Sequence, residues 1–119
     1  FKETVPVAHR VKLSSYFRER GNKCLYVYDF GDDWHHQVTL KKVVELPEKF
    51  KRRLLAGARS FPREDCGGVW GYVYCLKALG ILELEKDDYR EGLAERKEWL
   101  GNWQPEAFDL GAVKGRFDQ

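Results

Sequence analysis

From Cys24 to Phe30 the residues alternate without a break: Cys24, Tyr26, Tyr28 and Phe30 fall on one side, and Leu25, Val27 and Asp29 on the other. A period of two means an extended strand, because successive side chains of a pleated backbone point to opposite faces. The turn formers Gly31, Asp32 and Asp33 follow at once. Alternation then resumes between His35 and Leu46, with His36, Val38, Leu40 and Val44 in register. Two such stretches joined by a short polar turn predict an antiparallel hairpin. Both faces of the first strand are largely apolar, which places it at the centre of a sheet.

Helical spacing takes over elsewhere. Leu13 to Gly21 predicts a short helix, with Ser14 or Ser15 as its N-cap and Gly21 as the left-handed residue that ends it. Tyr72, Cys75, Leu76 and Leu79 recur at i, i+3, i+4 and i+7 before Gly80, the pattern of a helix with one buried face and a C-terminal stop. A second helix is expected from an Asp87 or Asp88 cap to Gly101, burying Tyr89, Leu93 and Leu100, and a short third one after Asp109 through Leu110, Val113 and Phe117. Pro47 to Ala58 stays open between a helical stripe (Phe50, Leu54, Leu55) and a second hairpin turning at Gly57. Ser60 to Val69 reads as an irregular loop whose glycine pair, Gly67 and Gly68, opens the next helix. The sum is an α+β fold: an antiparallel sheet with a central hairpin, packed against two or three C-terminal helices, in a single domain over residues 1–119. Four tryptophans, six tyrosines and seven phenylalanines are expected to fill much of its core.

Charge and cysteine usage narrow the function classes. Lys plus Arg number 21 against 19 Asp plus Glu, a net of +2, far from the strongly basic balance of a dedicated DNA-binding domain. Cys24, Cys66 and Cys75 form an odd set without paired spacing. That points to a reducing compartment, the cytoplasm, and away from a disulfide framework. No apolar run approaches the roughly 20 residues of a membrane helix, and the charges scattered through Phe1 to Arg10 do not make a signal peptide. No membrane partner is expected. The chain holds no methionine, so Phe1 is not expected to be the translation start, and further residues are expected upstream.

Three motifs occur in order along the chain. The first is Tyr26-Val27-Tyr28-Asp29-Phe30-Gly31-Asp32-Asp33-Trp34, with His36 two positions on. Pro62-Arg63-Glu64-Asp65-Cys66-Gly67-Gly68, followed by Trp70-Gly71-Tyr72, is the second, and Pro105-Glu106-Ala107-Phe108-Asp109 the third. Together they resemble the plasmid pRi open-reading-frame-three-like family, whose members are often labelled as the TnpR passenger protein of an insertion element. The resemblance runs from about Arg10 onward. It implies an α+β domain with an antiparallel sheet, no established activity, and an N-terminal part of the family domain that is absent from these residues. Phe61 stands where the family often has cysteine and Arg63 where it often has proline, so a shared cysteine-pair chemistry does not carry over. The resolvase-type label finds no support in the residues. A recombinase needs a nucleophile set among arginines that neutralise the charge on the transferring phosphoryl group. Here Ser14 and Ser15 read as helix caps, and Arg52, Arg53, Arg59 and Arg63 surround no nucleophile.

Two constellations carry candidate chemistry. Asp29, His36, Glu64 and Asp65 offer carboxylate and imidazole ligands that could hold a divalent metal and activate water, provided the hairpin and the Gly-rich loop converge. No HxxxH or CxxC spacing supports this set, and no other cofactor is expected. The plainer reading gives Asp32 and Asp33 to the turn, Glu64 and Asp65 to N–H groups at the helix start, and His36 to the core edge. Asp29, between Tyr28 and Phe30, is expected to be half-buried, with His36, Arg59 or a loop N–H as its partner. Cys66 lies beside Glu64 and Asp65, a setting that disfavours a thiolate, while His9 and His35 show no partner in the sequence. The second constellation is the basic run Lys49, Lys51, Arg52, Arg53, Arg59 and Arg63, which could contact phosphates, with Trp34, Trp70 and Tyr72 as stacking platforms if exposed.

These readings favour a non-enzymatic binding or interaction module, an accessory protein carried with mobile DNA. A divalent-metal hydrolase-like site and a nucleic-acid-binding accessory role are the alternatives. An exposed sheet edge is expected to receive a protein partner or a second copy.

Overall fold

The computed structural model describes residues 8–119. Its contacts fall into two units, Phe1–Glu45 and Leu46–Gln119. The first holds a 3-10 turn at Ala8–Arg10, helix α1 (Leu13–Arg20) and strands β1 (Lys23–Tyr28) and β2 (Trp34–Thr39). Helices α2 (Gly68–Ala78), α3 (Leu93–Leu100) and α4 (Leu110–Phe117) belong to the second. The class is α+β, as the alternation and helical spacing predict. Among the described residues no helix is long and apolar enough to cross a membrane. The segment read above for a signal peptide lies, up to residue 7, outside the described residues.

In the first unit the expected antiparallel hairpin forms, with Cys24 opposite Val38, Tyr26 opposite His36 and Tyr28 opposite Trp34, although its second strand ends at Thr39, short of the Leu46 to which the alternation runs. Strand β1 is not central, however: the sheet has two strands among the described residues. Apolar residues on both faces are compatible with a central strand but do not make one, because place in a sheet is decided by backbone pairing. Helix α1 packs against β1. It begins one residue before Ser14, with Lys12 in the cap position and no capping side chain, so both serines fall in its first turn rather than before it. Gly21 ends it at φ +87°, as expected.

The second unit packs α2 against α3. Its most buried side chains are Cys66, Cys75 and Leu100. The aromatic residues do not fill the core as composition implies: Trp70 is 84% exposed and Tyr89 65%. Several instead lie along its rim, with Tyr72 meeting Trp103 edge to face at 5.9 Å. Trp103 Nε1 donates to the Phe61 carbonyl at 2.9 Å. Helix α3 starts at Leu93, well after the predicted Asp87 or Asp88. Asp88 is not a helix cap; it accepts from the Glu85 amide and pairs with Lys77 on α2. Asp109 does cap α4, accepting from Ala112 N at 3.1 Å.

Residues 46–67 form neither the helix nor the hairpin left open for Pro47 to Ala58. They are held by contacts from far along the chain. Lys51 N donates to the Gln119 carbonyl at 3.0 Å, and Gln119 N to that of Arg52 at 3.1 Å. Leu54 N donates to Asp118 Oδ1 at 2.7 Å. Ser60 N reaches the Pro105 carbonyl at 2.9 Å, and Ser60 Oγ that of Ala107 at 2.7 Å. A Cβ on Gly57 would lie 2.4 Å from the Phe108 ring, so the third sequence motif packs its aromatic side chain directly on this backbone.

The start of α2 is tighter still. A Cβ on Gly71 would stand 1.8 Å from the Cys66 carbonyl oxygen, a backbone atom that cannot swing aside. Gly71→Ala is therefore expected to destabilise the second unit by about 1–3 kcal/mol, the range for forced overpacking. Chemical denaturation followed by tryptophan fluorescence measures it; a change within error of zero would mean that the loop relaxes without cost.

Candidate functional site

The hairpin turn is built around Asp29. This residue sits just past β1 at φ +56°, a left-handed conformation that Asp tolerates because its short carboxylate bonds locally. Its Oδ1 accepts from Gly31 N at 3.1 Å and Asp32 N at 3.3 Å, and its carbonyl accepts from Asp33 N at 2.6 Å. Of the three partners expected for Asp29, the loop N–H is the one realised. Asp33, at φ +60°, accepts from His35 Nε2 at 2.8 Å, so His35 has the partner that sequence reasoning did not find. A histidine two residues after an aspartate at a turn was the available signal.

The pairing places Cys24, Tyr26, Tyr28, Trp34, His36 and Val38 on one face of the hairpin. Tyr26 and His36 stack tilted with ring centroids 5.5 Å apart, and His36 Nδ1 lies 3.3 Å from the Tyr26 carbonyl. Leu25, Val27, His35 and Gln37 occupy the other face. The ladder also fixes which backbone groups point outward. Leu40 N donates to the Asn22 carbonyl at 2.7 Å, so Asn22 and Leu40 form a hydrogen-bonded pair. In an antiparallel ladder such pairs alternate, and the even-numbered residues of β2 bond inward to β1. His35, Gln37 and Thr39 therefore direct their N–H and C=O groups away from β1.

Glu64 and Asp65, the other two candidate metal ligands, lie in the second unit beside Cys66. Asp65 (φ +61°) and Gly67 (φ +101°) turn the loop twice, which brings the Cys66 carbonyl over the first turn of α2. The cap residue of this helix start is Gly67, which has no side chain of its own to offer. The glycine pair does open the helix, Gly67 as its cap residue and Gly68 as its first member. Cys66 is buried, with Sγ 3.8 Å from the Gly68 carbonyl.

Arg96 on α3, which the sequence did not single out, ties these pieces together. Its Nη1 donates to the Cys66 carbonyl at 3.0 Å and lies 3.6 Å from Cys75 Sγ. The guanidinium also stands over the Tyr74 and Trp99 rings, at 5.4 and 5.1 Å from their centroids. The basic run is largely engaged within the unit. Arg52 caps the Phe117 carbonyl and ring, Arg53 pairs with Glu48 at 3.0 Å over Phe50, Arg59 meets Glu106 at 3.2 Å, and Arg63 lies over Trp99. Lys49 and Lys51 line a shallow open depression with Phe50 and Gln119.

With this geometry in view, the model of the plasmid pRiA4b ORF-3-like protein family matches residues 1–112. The chain belongs to that family. Among the family member's relatives is the uncharacterized protein y4hQ of Sinorhizobium fredii, 35% identical over 96 residues that cover 80% of this chain and 46% of that protein. The crystal structure of a protein of unknown function, MM3350 from Methanosarcina mazei Go1, superposes with a TM-score of 0.67 at 38% identity, covering 87% of this chain and 56% of that one. The chain thus spans about half the length of each of these two relatives.

Two carboxylates of the second unit titrate abnormally. The Lys77 ammonium, hydrogen-bonded at 2.8 Å, and then the Glu85 amide hold Asp88 below its ordinary value of 3.8. Lys114 and the Leu54 amide do the same for Asp118. A folded-state pKa lowered in this way adds stability that is full above the unfolded value and is lost as pH falls through the folded one. Asp88→Asn is therefore expected to destabilise the chain at neutral pH and to cost progressively less below pH 3.8. Paired denaturation curves over an acid series check this; a pH-independent difference would show that the Lys77–Asp88 pair does not contribute through its charge.

Proposed function

We propose that this family member is a non-enzymatic interaction module whose binding element is the hairpin, which adds an extended strand of a partner polypeptide to the outer edge of β2. The observation that carries this reading is the outward row of backbone groups at His35, Gln37 and Thr39, beside a face of Tyr26, Tyr28 and Trp34. A two-stranded hairpin is marginally stable in isolation, and a further strand both satisfies the edge and widens the apolar face. Competing chemistry has less support. Asp29 already accepts two turn amides, and four arginines of the basic run are bound to intramolecular partners. An odd set of three cysteines without paired spacing suits a cytoplasmic setting, and the plasmid origin in the family's name suits an accessory role beside mobile DNA.

Site-specific photo-crosslinking in cells tests the reading. With benzoylphenylalanine replacing Gln37 or Thr39, a discrete polypeptide adduct is expected; with the same group at exposed Leu55 it is not. Adducts of equal yield at all three positions, or none at the edge, would remove the hairpin as the binding element.

A further inference from the structure

We propose that the strand received by β2 is β2 of a second copy of this chain, paired antiparallel about a two-fold axis that passes through Gln37. The inference rests on the hairpin being the binding element and adds the identity and register of the partner.

Outward groups at His35, Gln37 and Thr39 fix the parity of any added strand, since these residues must supply its hydrogen-bonded pairs. Antiparallel self-pairing is isologous, so each residue meets one whose number is set by the axis. With Gln37 opposite its own equivalent, His35 faces Thr39 of the other copy and Thr39 faces His35. All three outward residues are then used. On the aromatic face, His36 comes opposite Val38 and Trp34 opposite Leu40, which continues that face across four strands.

Charge suits this arrangement. The hairpin is acidic at its turn, with Asp32 and Asp33, and basic at its open end, with Lys41 and Lys42. Both lysines are exposed, as is Asp33, whose Oδ1 is taken by His35 while Oδ2 remains beside it. Pairing about Gln37 brings the turn of one copy, with Asp32 and Asp33, toward the segment that follows β2 in the other, with Lys41 and Lys42, and the symmetry repeats this at the other end. A parallel arrangement would stack turn on turn and lysine on lysine. Shifting the axis by one residue, to His36 or Val38, loses the parity set by the outward groups. The β1 edge is less suited, because α1 packs against that strand.

Sedimentation velocity on the full chain tests the proposal. The wild type is expected to be a dimer that weakens as salt is raised. Lys41→Glu/Lys42→Glu makes both ends acidic, and Asp32→Lys/Asp33→Lys makes both basic while leaving the Asp29 carboxylate that builds the turn. Each variant alone should associate at least roughly tenfold more weakly, and an equimolar mixture should recover a dimer containing one of each. Circular dichroism separates loss of pairing from loss of fold, and Gln37→Pro, which removes an N–H on the axis that β1 does not use, should give a folded monomer. A monomeric wild type at high concentration, or folded charge variants that fail to pair when mixed, would overturn the second copy as partner. Should the Gln37 crosslinker then trap a different polypeptide, strand addition stands and only the identity of the partner falls; if it traps nothing, both fall.

Discussion

The first unit depends on one carboxylate. Asp29 gathers the amides of Gly31 and Asp32 with its side chain and that of Asp33 with its carbonyl, and so closes a five-residue loop between the strands. A non-glycine residue in the left-handed region costs about 1–2 kcal/mol, which these local bonds offset. Loop geometry then sets the register of β1 against β2, because a shift of one residue would exchange the two faces of each strand. From that register follow the aromatic face, the Tyr26–His36 contact and the parity of the outer edge. Asp29, Gly31, Asp32 and Asp33 are thus one device, a turn that decides what the hairpin presents.

A carbonyl plays the corresponding part in the second unit. Cys66 presents its oxygen to Gly71 on one side and receives Arg96 on the other, so the Gly-rich loop, α2 and α3 meet at a single backbone group. Aromatic rings flank the guanidinium, and cation–π contacts of this kind contribute about 0.5–2 kcal/mol according to their exposure. The charge of Arg96 is spent on architecture, as are those of Lys77 and Lys114.

Much of this was legible in the residues. Strict alternation around a Gly-Asp-Asp turn gave the hairpin, and the i, i+3, i+4, i+7 spacing gave α2. The short helix after Asp109 was readable from the spacing of Leu110, Val113 and Phe117. Position within the sheet was not readable at β1, since side-chain pattern records burial and backbone pairing does not. The start of α3 was misplaced because Asp87 and Asp88 have the chemistry of caps, yet Asp88 is drawn to Lys77, eleven residues back. Ser14 and Ser15 misled for the same reason. Partners such as Asp33 for His35 and Cys66 for Arg96 depend on folded geometry, and only the former leaves a trace in local spacing.

The segment between Leu46 and Gly67 has no periodic structure of its own, yet its hydrogen bonds reach far along the chain, from Phe61 to Trp103 and from Lys51 to Gln119. Each such contact closes a long loop, whose entropy must be lost before any reward is gained. Helices α2 and α3 meet across a short span and can form early, whereas the clasp of Lys51–Leu54 by Phe117–Gln119 has to wait for both ends. The second unit accordingly combines two kinetic classes of contact in one small body. That clasp is expected to assemble last, and to open first when amide protons exchange with solvent.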